Sequence, residues 1–186
     1  MHRLLALGLL AFAAALSAAG QESHFDDPGK LLPLDSAWAK AVNARLDAFA
    51  RATGIKILVQ YHLKSPSAEE DKVPGAYMQA LSAKQGTLSH GVLIVYFTDD
   101  PDWRVWIGDE LTQAFAGKPG TVQALTDSGA IHEVKEALLA AAIARADATL
   151  AELRKTAPAE KPPAGMQLAL QTDALLDALM VKLAPK

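Results

Sequence analysis

The side chains best able to do chemistry in this sequence are carboxylates grouped around one stretch, Ser89 to Gly108. Asp99, Asp100 and Asp102 lie inside it, and Asp109 and Glu110 follow directly after it. A hard cation such as calcium takes six to eight oxygen ligands at about 2.3–2.6 Å, so two carboxylates do not suffice. Asp27 and Asp127 lie on segments able to reach the edge at which Asp109 and Glu110 stand. The expected metal site is therefore Asp109, Glu110, Asp27 and Asp127, holding Ca2+ with help from backbone carbonyls and water. The competing reading is a helix start, where the dipole favours Asp109 and Glu110. Asp99, Asp100 and Asp102 read as a solvated hairpin bend.

Other combinations are poorer. His132 and Glu136 share a helix face at i,i+4, but no third ligand is evident. Ser89 and His90 are neighbours on an extended segment and point to opposite faces, so they are no nucleophile and base. No Gly-x-Ser-x-Gly, His-Glu-x-x-His or phosphate-loop pattern occurs. No organic cofactor is expected.

What must position these groups is a hairpin. Gly91 is followed by Val92 to Thr98, whose first six residues are large and apolar or aromatic. Such a run predicts a strand buried on both faces in the middle of a sheet. Asp99-Asp100-Pro101-Asp102 turns the chain, and Trp103 to Ile107 returns antiparallel to Gly108, where positive φ is expected to let the chain turn sharply. Five strand residues at about 3.3 Å each hold the two acidic groups about 15 Å apart.

The remaining elements follow from periodicity. Gln21 to Asp35 reads as an extended lead-in. Asp35 or Ser36 caps a helix whose Trp38, Val42, Leu46 and Phe49 form one apolar stripe, with Lys40, Asn43, Asp47 and Arg51 facing water. Gly54 stops it. Ile55 to Leu63 alternates as a strand with one face buried and the other partly covered. A polar loop, Lys64 to Pro74, leads to a short helix over Gly75 to Lys84, completing a βαβ unit with the central strand. Helical pieces are expected over Glu110 to Ala116, Thr121 to Leu125 and Ala130 to Lys155. The fold class expected is α/β: a three-layer sandwich with a mixed sheet of three to four strands and helices on both faces.

The ends of the chain are equally legible. Met1-His2-Arg3, the apolar run Leu4 to Leu16 and the small residues to Gly20 have the plan of a signal peptide over residues 1–20, implying export to a bacterial periplasm or beyond. The run is short of the roughly 20 apolar residues of a membrane span, so the cleaved chain is expected not to cross a membrane. With 0 cysteines, it is indifferent to an oxidising compartment. A formal net charge of -3 gives no basis for binding nucleic acid. Residues 157–165 (APAEKPPAG) read as a proline-rich linker between a domain over 21–156 and an amphipathic C-terminal helix within 166–186. The apolar stripe of that helix must be buried, either on the domain or on another protein.

Several short motifs, in order, resemble the TPM domain family, named for a thylakoid lumen protein, a photosystem II protein and a nematode receptor-modulating protein. They are Asp27-Pro28 with Leu31-Leu32, Thr53-Gly54-Ile55-Lys56-Ile57, Gly91-Val92-Leu93-Ile94-Val95 and Arg104-Val105-Trp106-Ile107-Gly108. The resemblance covers roughly Phe25 to Ile143. It departs from the family pattern at His90, where asparagine is usual, and at Asp109-Glu110-Leu111-Thr112, which lacks the second glycine and the glutamate at their usual places. Leu125-Thr126-Asp127 resembles the family's Leu-Thr-Asp, displaced along the chain. The resemblance implies an accessory or binding module for cell-envelope or membrane-protein complexes. Its alternative is a metal-assisted, acid phosphatase-like hydrolase, an activity proposed for some relatives.

Overall fold

The structure is a computed structural model that describes residues 23–156 and 165–185. The expected signal peptide, and the linker apart from Gly165, fall outside the described residues. The sheet has four strands in the order β1 (Phe25–Asp26), β2 (Lys56–His62), β3 (Gly91–Phe97) and β4 (Asp102–Ile107). The first three are parallel and β4 runs antiparallel beside β3. The hairpin is where the sequence puts it, and β3 is interior with Val92 through Val95 and Phe97 at 0% exposure. Such a strand is covered on both faces, as its unbroken apolar run requires. Helix α2 (Ala76–Lys84) connects β2 to β3. The fourth strand, β1, comes from the stretch read as an extended lead-in; two residues are too few for periodicity to show.

The two faces of the sheet are covered unequally. On one, Ile57, Val59, Tyr61, Val92, Ile94, Trp103, Val105 and Ile107 form the main core. Over it lie α1 (Ala37–Thr53), α3 (Thr112–Ala116), α5 (Ala130–Thr156) and α6 (Met166–Leu183). On the other face Leu58, Leu93, Val95 and Phe97 pack against Met78, Tyr77 and Leu81 of α2, with Trp106 of the hairpin joining them. A short helix, α4 (Val122–Asp127), adds a small cluster through Leu125.

Helix α1 begins where Ser36 Oγ accepts the Ala39 N–H at 3.2 Å and ends at Gly54 with φ 75°. Its outer face departs from expectation. Asn43 Oδ1 accepts the His24 backbone N–H at 2.9 Å, and Asp47 Oδ1 lies 3.0 Å from His24 Nε2. His24 Nδ1 in turn lies 2.7 Å from the Ile57 carbonyl oxygen. Asn43 and Asp47 therefore anchor the lead-in to α1 instead of facing open water.

Helix α6 belongs to the core. Leu175, Leu176 and Leu179 are 1% exposed or less. Thr172 Oγ1 donates to the Leu168 carbonyl at 2.8 Å and so is left to accept from the Tyr61 hydroxyl at 2.7 Å. Arg45 reaches Asp173 at 2.8 Å and Asp177 at 3.2 Å, and Arg145 reaches Asp177 at 3.3 Å. These partly exposed pairs contribute little beside the buried leucines.

The sheet's outer edges are blunted. The Ser23 hydroxyl accepts the Phe25 N–H at 3.1 Å and donates to the Phe25 carbonyl at 2.9 Å. At the far edge Lys135 Nζ donates to the Val105 carbonyl at 3.3 Å, and burial lowers the pKa of that ammonium. Backbone groups occupied in this way are poor templates for an added strand.

Gly108 corrects a sequence-based expectation. Its φ is -58°, so no left-handed conformation is required. What it supplies is space: a Cβ there would lie 2.5 Å from the Ser89 carbonyl oxygen and 2.9 Å from the Gly91 nitrogen. The backbone before β3 and the backbone after β4 approach too closely for a side chain.

Candidate functional site

The register of the sheet divides the four expected metal ligands. Asp26 pairs with Gln60, which places Asp27 level with Tyr61, near the ends of the parallel strands. Asp109 and Glu110 sit at the opposite end, where their N–H groups donate to the Leu88 and Ser89 carbonyls at 3.2 and 3.0 Å. Gly91, beside them, pairs with Lys56. Five residues at about 3.3 Å each separate the two levels by at least about 16 Å along the strands. Asp27 is thus not brought to Asp109 and Glu110. Its Oδ2 accepts the Leu32 N–H at 2.8 Å and organises the turn after β1. Its Oδ1 is buried without a hydrogen-bond partner among the described residues. Asp127 ends α4, where Oδ1 accepts from Gln123 Nε2 at 2.7 Å. Glu110 lies 3.1 Å from His90 Nδ1, and both are exposed. Asp109 and Glu110 open a single 3-10 turn, Asp109–Leu111, which matches the helix-start reading of these residues. Among the described residues no group of three or more His, Cys, Asp or Glu side chains could hold a metal ion.

The remaining candidates resolve similarly. His132 and Glu136 are 3.8 Å apart and exposed. Asp99 Oδ1 accepts from the Ser65 hydroxyl and N–H, both at 2.8 Å, and the hydroxyl contact leads in holding that carboxyl below its usual range. Asp102 and Asp71 flank Arg104, at 3.2 and 2.7 Å, and the guanidinium carbon lies 5.2 Å from the centre of the Phe97 ring. These groups pin the polar loop over the hairpin.

A different feature emerges on the face that α2 covers. Alternation places Lys56, Leu58, Gln60 and His62 of β2 on that face, joined by Asp26 of β1. Helix α2 lies toward β3 and β4, leaving the β1–β2 side open. The result is a groove of about 450 Å³ lined by Asp26, Lys56, Leu58, Gln60, Lys84 and Gln85, with the Ser23–Phe25 backbone at its rim. Gln60 is 4% exposed, and its Oε1 lies 3.2 Å from His62 Nε2. His62 Nδ1 lies 3.0 Å from the Tyr77 hydroxyl. One tautomer satisfies both contacts: neutral His62 donates from Nε2 and accepts at Nδ1. Burial lowers the His62 pKa and so favours that neutral form, while the negative charge of Asp26 acts in the opposite direction.

The groove was only half visible in the sequence. Alternation in Ile55 to Leu63 signalled a partly covered face. The contributions of Asp26, Lys84 and Gln85 come from other elements, and their meeting depends on β1 pairing with β2.

No protein-family profile matches the chain, and no curated protein matches it. One solved structure that it is similar to is the N-terminal domain of a protein from P. gingivalis, determined by solution NMR as Northeast Structural Genomics Consortium target PgR37A. The two are 14% identical, and the alignment covers 89% of this chain and 87% of that one with a TM-score of 0.47. A likeness of that size carries no argument about function.

Proposed function

We propose that this protein is an exported binding module that serves cell-envelope or membrane-protein complexes and takes its ligand in the groove beside α2. The observation that supports this reading is the open strip of β2. A sheet face that packs a helix on one side and leaves a concavity with convergent charged and amide groups on the other supports reading that side as a binding surface. Membership of the TPM domain family and a periplasmic location belong to the same proposal; they rest on the ordered motifs and on the N-terminal sequence. No helix among the described residues is long and apolar enough to cross a membrane.

The hydrolase alternative requires a bound cation at the acidic edge. Asp27 lies at the other end of the sheet, Asp127 is hydrogen-bonded within α4, and no observation favours that reading.

Gln85→Trp fills the groove from its rim, whereas Lys40→Trp puts the same ring on the exposed outer side of α1. The exported protein should lose its association with envelope complexes in the first variant and keep it in the second, with unchanged circular dichroism in both. Equal association of the two variants would refute the groove as the binding surface.

A further inference from the structure

Two neighbouring side chains in the groove form a pair whose chemistry selects a ligand. Gln60 is 4% exposed, yet it lines the groove. Its Oε1 is taken by His62 Nε2 at 3.2 Å. The Tyr77 hydroxyl, 3.0 Å from His62 Nδ1, fixes that orientation. With Nδ1 accepting from Tyr77, Nε2 carries the proton and selects the oxygen of the Gln60 amide. The amide NH2 is left without a hydrogen-bond partner among the described residues. A donor at that depth costs free energy unless a water or a ligand accepts from it. Asp26 is the register partner of Gln60 on β1, and alternation puts both on the α2 face. Asp26 is exposed and also lines the groove, to which it offers a carboxylate.

Neighbouring strands lie about 4.8 Å apart, so the amide donor and the carboxylate acceptor stand side by side. One hydroxyl placed between them satisfies both, because a hydroxyl accepts at its oxygen and donates its hydrogen. A peptide group does not, since its carbonyl only accepts and its N–H only donates. A second hydroxyl on the adjacent carbon meets the other carboxylate oxygen. From this pair we infer that the groove binds a saccharide through a vicinal diol. The first hydroxyl accepts from Gln60 and donates to Asp26, and the second donates to Asp26. Leu58, on the same face two residues before Gln60, gives the C–H face of a pyranose ring an apolar floor. The groove's volume of about 450 Å³ falls within the range of about 300–1,000 Å³ usual for small-molecule sites. The inference rests on the reading of this groove as the ligand-binding surface and adds the chemical class.

The probes are the methyl glycosides of glucose, galactose and mannose, which differ in the geometry of their diols. Each is titrated to high millimolar concentration into the full 15N-labelled chain. At least one should shift the Gln60 side-chain NH2 resonances saturably, together with the backbone amides of Asp26 and Leu58. Tetrahydropyran-2-methanol, the same ring without the diol, should leave them unmoved. Asp26→Asn, at an exposed position, should weaken the binding about tenfold, the worth of a hydrogen bond to a charged group. Gln60→Glu keeps an oxygen for His62 but removes the donor, and should abolish binding. Silence of the Gln60 NH2 toward all three glycosides would mean that water alone meets it and would overturn the inference. Unchanged affinity in Asp26→Asn would overturn it as well. N-methylacetamide binding in the groove more tightly than any glycoside would overturn it in favour of an amide ligand. In each of these cases the Gln85→Trp comparison decides the broader reading of the groove separately.

Discussion

The hydroxyl pair between Tyr61 and Thr172 joins β2 to α6 in the buried core, and its direction makes an asymmetric prediction. Thr172 Oγ1 already donates to the Leu168 carbonyl at 2.8 Å, so across the 2.7 Å contact Tyr61 is the donor. Tyr61 is 0% exposed and Thr172 1%. Thr172→Val preserves shape but leaves the Tyr61 hydroxyl buried without an acceptor, which costs about 1–3 kcal/mol. Tyr61→Phe removes the donor and leaves Thr172 still bonded to Leu168, so it costs only about 0.5–1.5 kcal/mol. The double variant should be close to Tyr61→Phe alone, because the orphaned hydroxyl is gone. For a chain of this length about 1 kcal/mol moves the melting temperature by about 2–4 °C, so Thr172→Val should melt several degrees lower. Denaturant titration of the four proteins measures the costs and their coupling. A larger loss for Tyr61→Phe than for Thr172→Val, or additive losses, would refute the assigned direction. The same burial pushes the Tyr61 pKa up, with desolvation as its largest cause. A hydroxyl protonated when folded and ionised when unfolded loses its stabilising contribution as pH rises through the ordinary tyrosine range near 10. Tyr61→Phe should therefore decline less steeply in alkali than the natural chain.

Three further perturbations test other parts of the account. Gly108→Ala should destabilise by about 1–3 kcal/mol through backbone overlap, and Gly108→Asn at least as much; an asparagine better tolerated than alanine in thermal melts would restore the positive-φ explanation. Leu179→Ala, at 0% exposure on α6, should cost about 2–5 kcal/mol in denaturant titrations, whereas Arg45→Ala at the exposed pairs should cost less than about 1 kcal/mol and lose that effect in high salt. His62 has a folded pKa below its unfolded value, so the unfolded chain takes up the proton first and stability falls as pH drops from about 7 through the folded pKa; His62→Gln should flatten that limb of a stability–pH curve, and an unchanged limb would show that His62 is not its source.

The elements with long, regular patterns were legible because one physical requirement fixed each of them. Val92 to Phe97 is apolar on every residue, which only an interior strand accommodates, and it lies at the centre of the sheet. Met166 to Leu183 has the observed helix boundaries, but periodicity says only that its stripe is buried, not where. Its docking on the sheet is marked by Thr172 meeting Tyr61, a contact between residues 111 positions apart. The convergence of Asp27 on the acidic edge was misjudged for a related reason. Asp27 was assigned to an edge by the reach of its segment, whereas the pairing of Phe25 with Val59 fixes it at the other end. A two-residue strand leaves no periodic signature, so the element that both displaced Asp27 and completed the groove with Asp26 was invisible beforehand. Gly108 shows the same limit at one residue. Sequence marks a glycine, but only the approach of Ser89 shows whether conformation or space demands it.

On the proposed reading the ligand meets the α2 side of β2 and not the acidic edge after Gly108. Photo-crosslinking in the exported, full-length protein tests it most directly, with a benzophenone side chain placed in turn at Gln85 and at Glu110. Both positions lie at the surface, and they belong to different edges of the molecule. A discrete adduct is expected from position 85 and none from position 110. An adduct from position 110 with none from position 85 would contradict it.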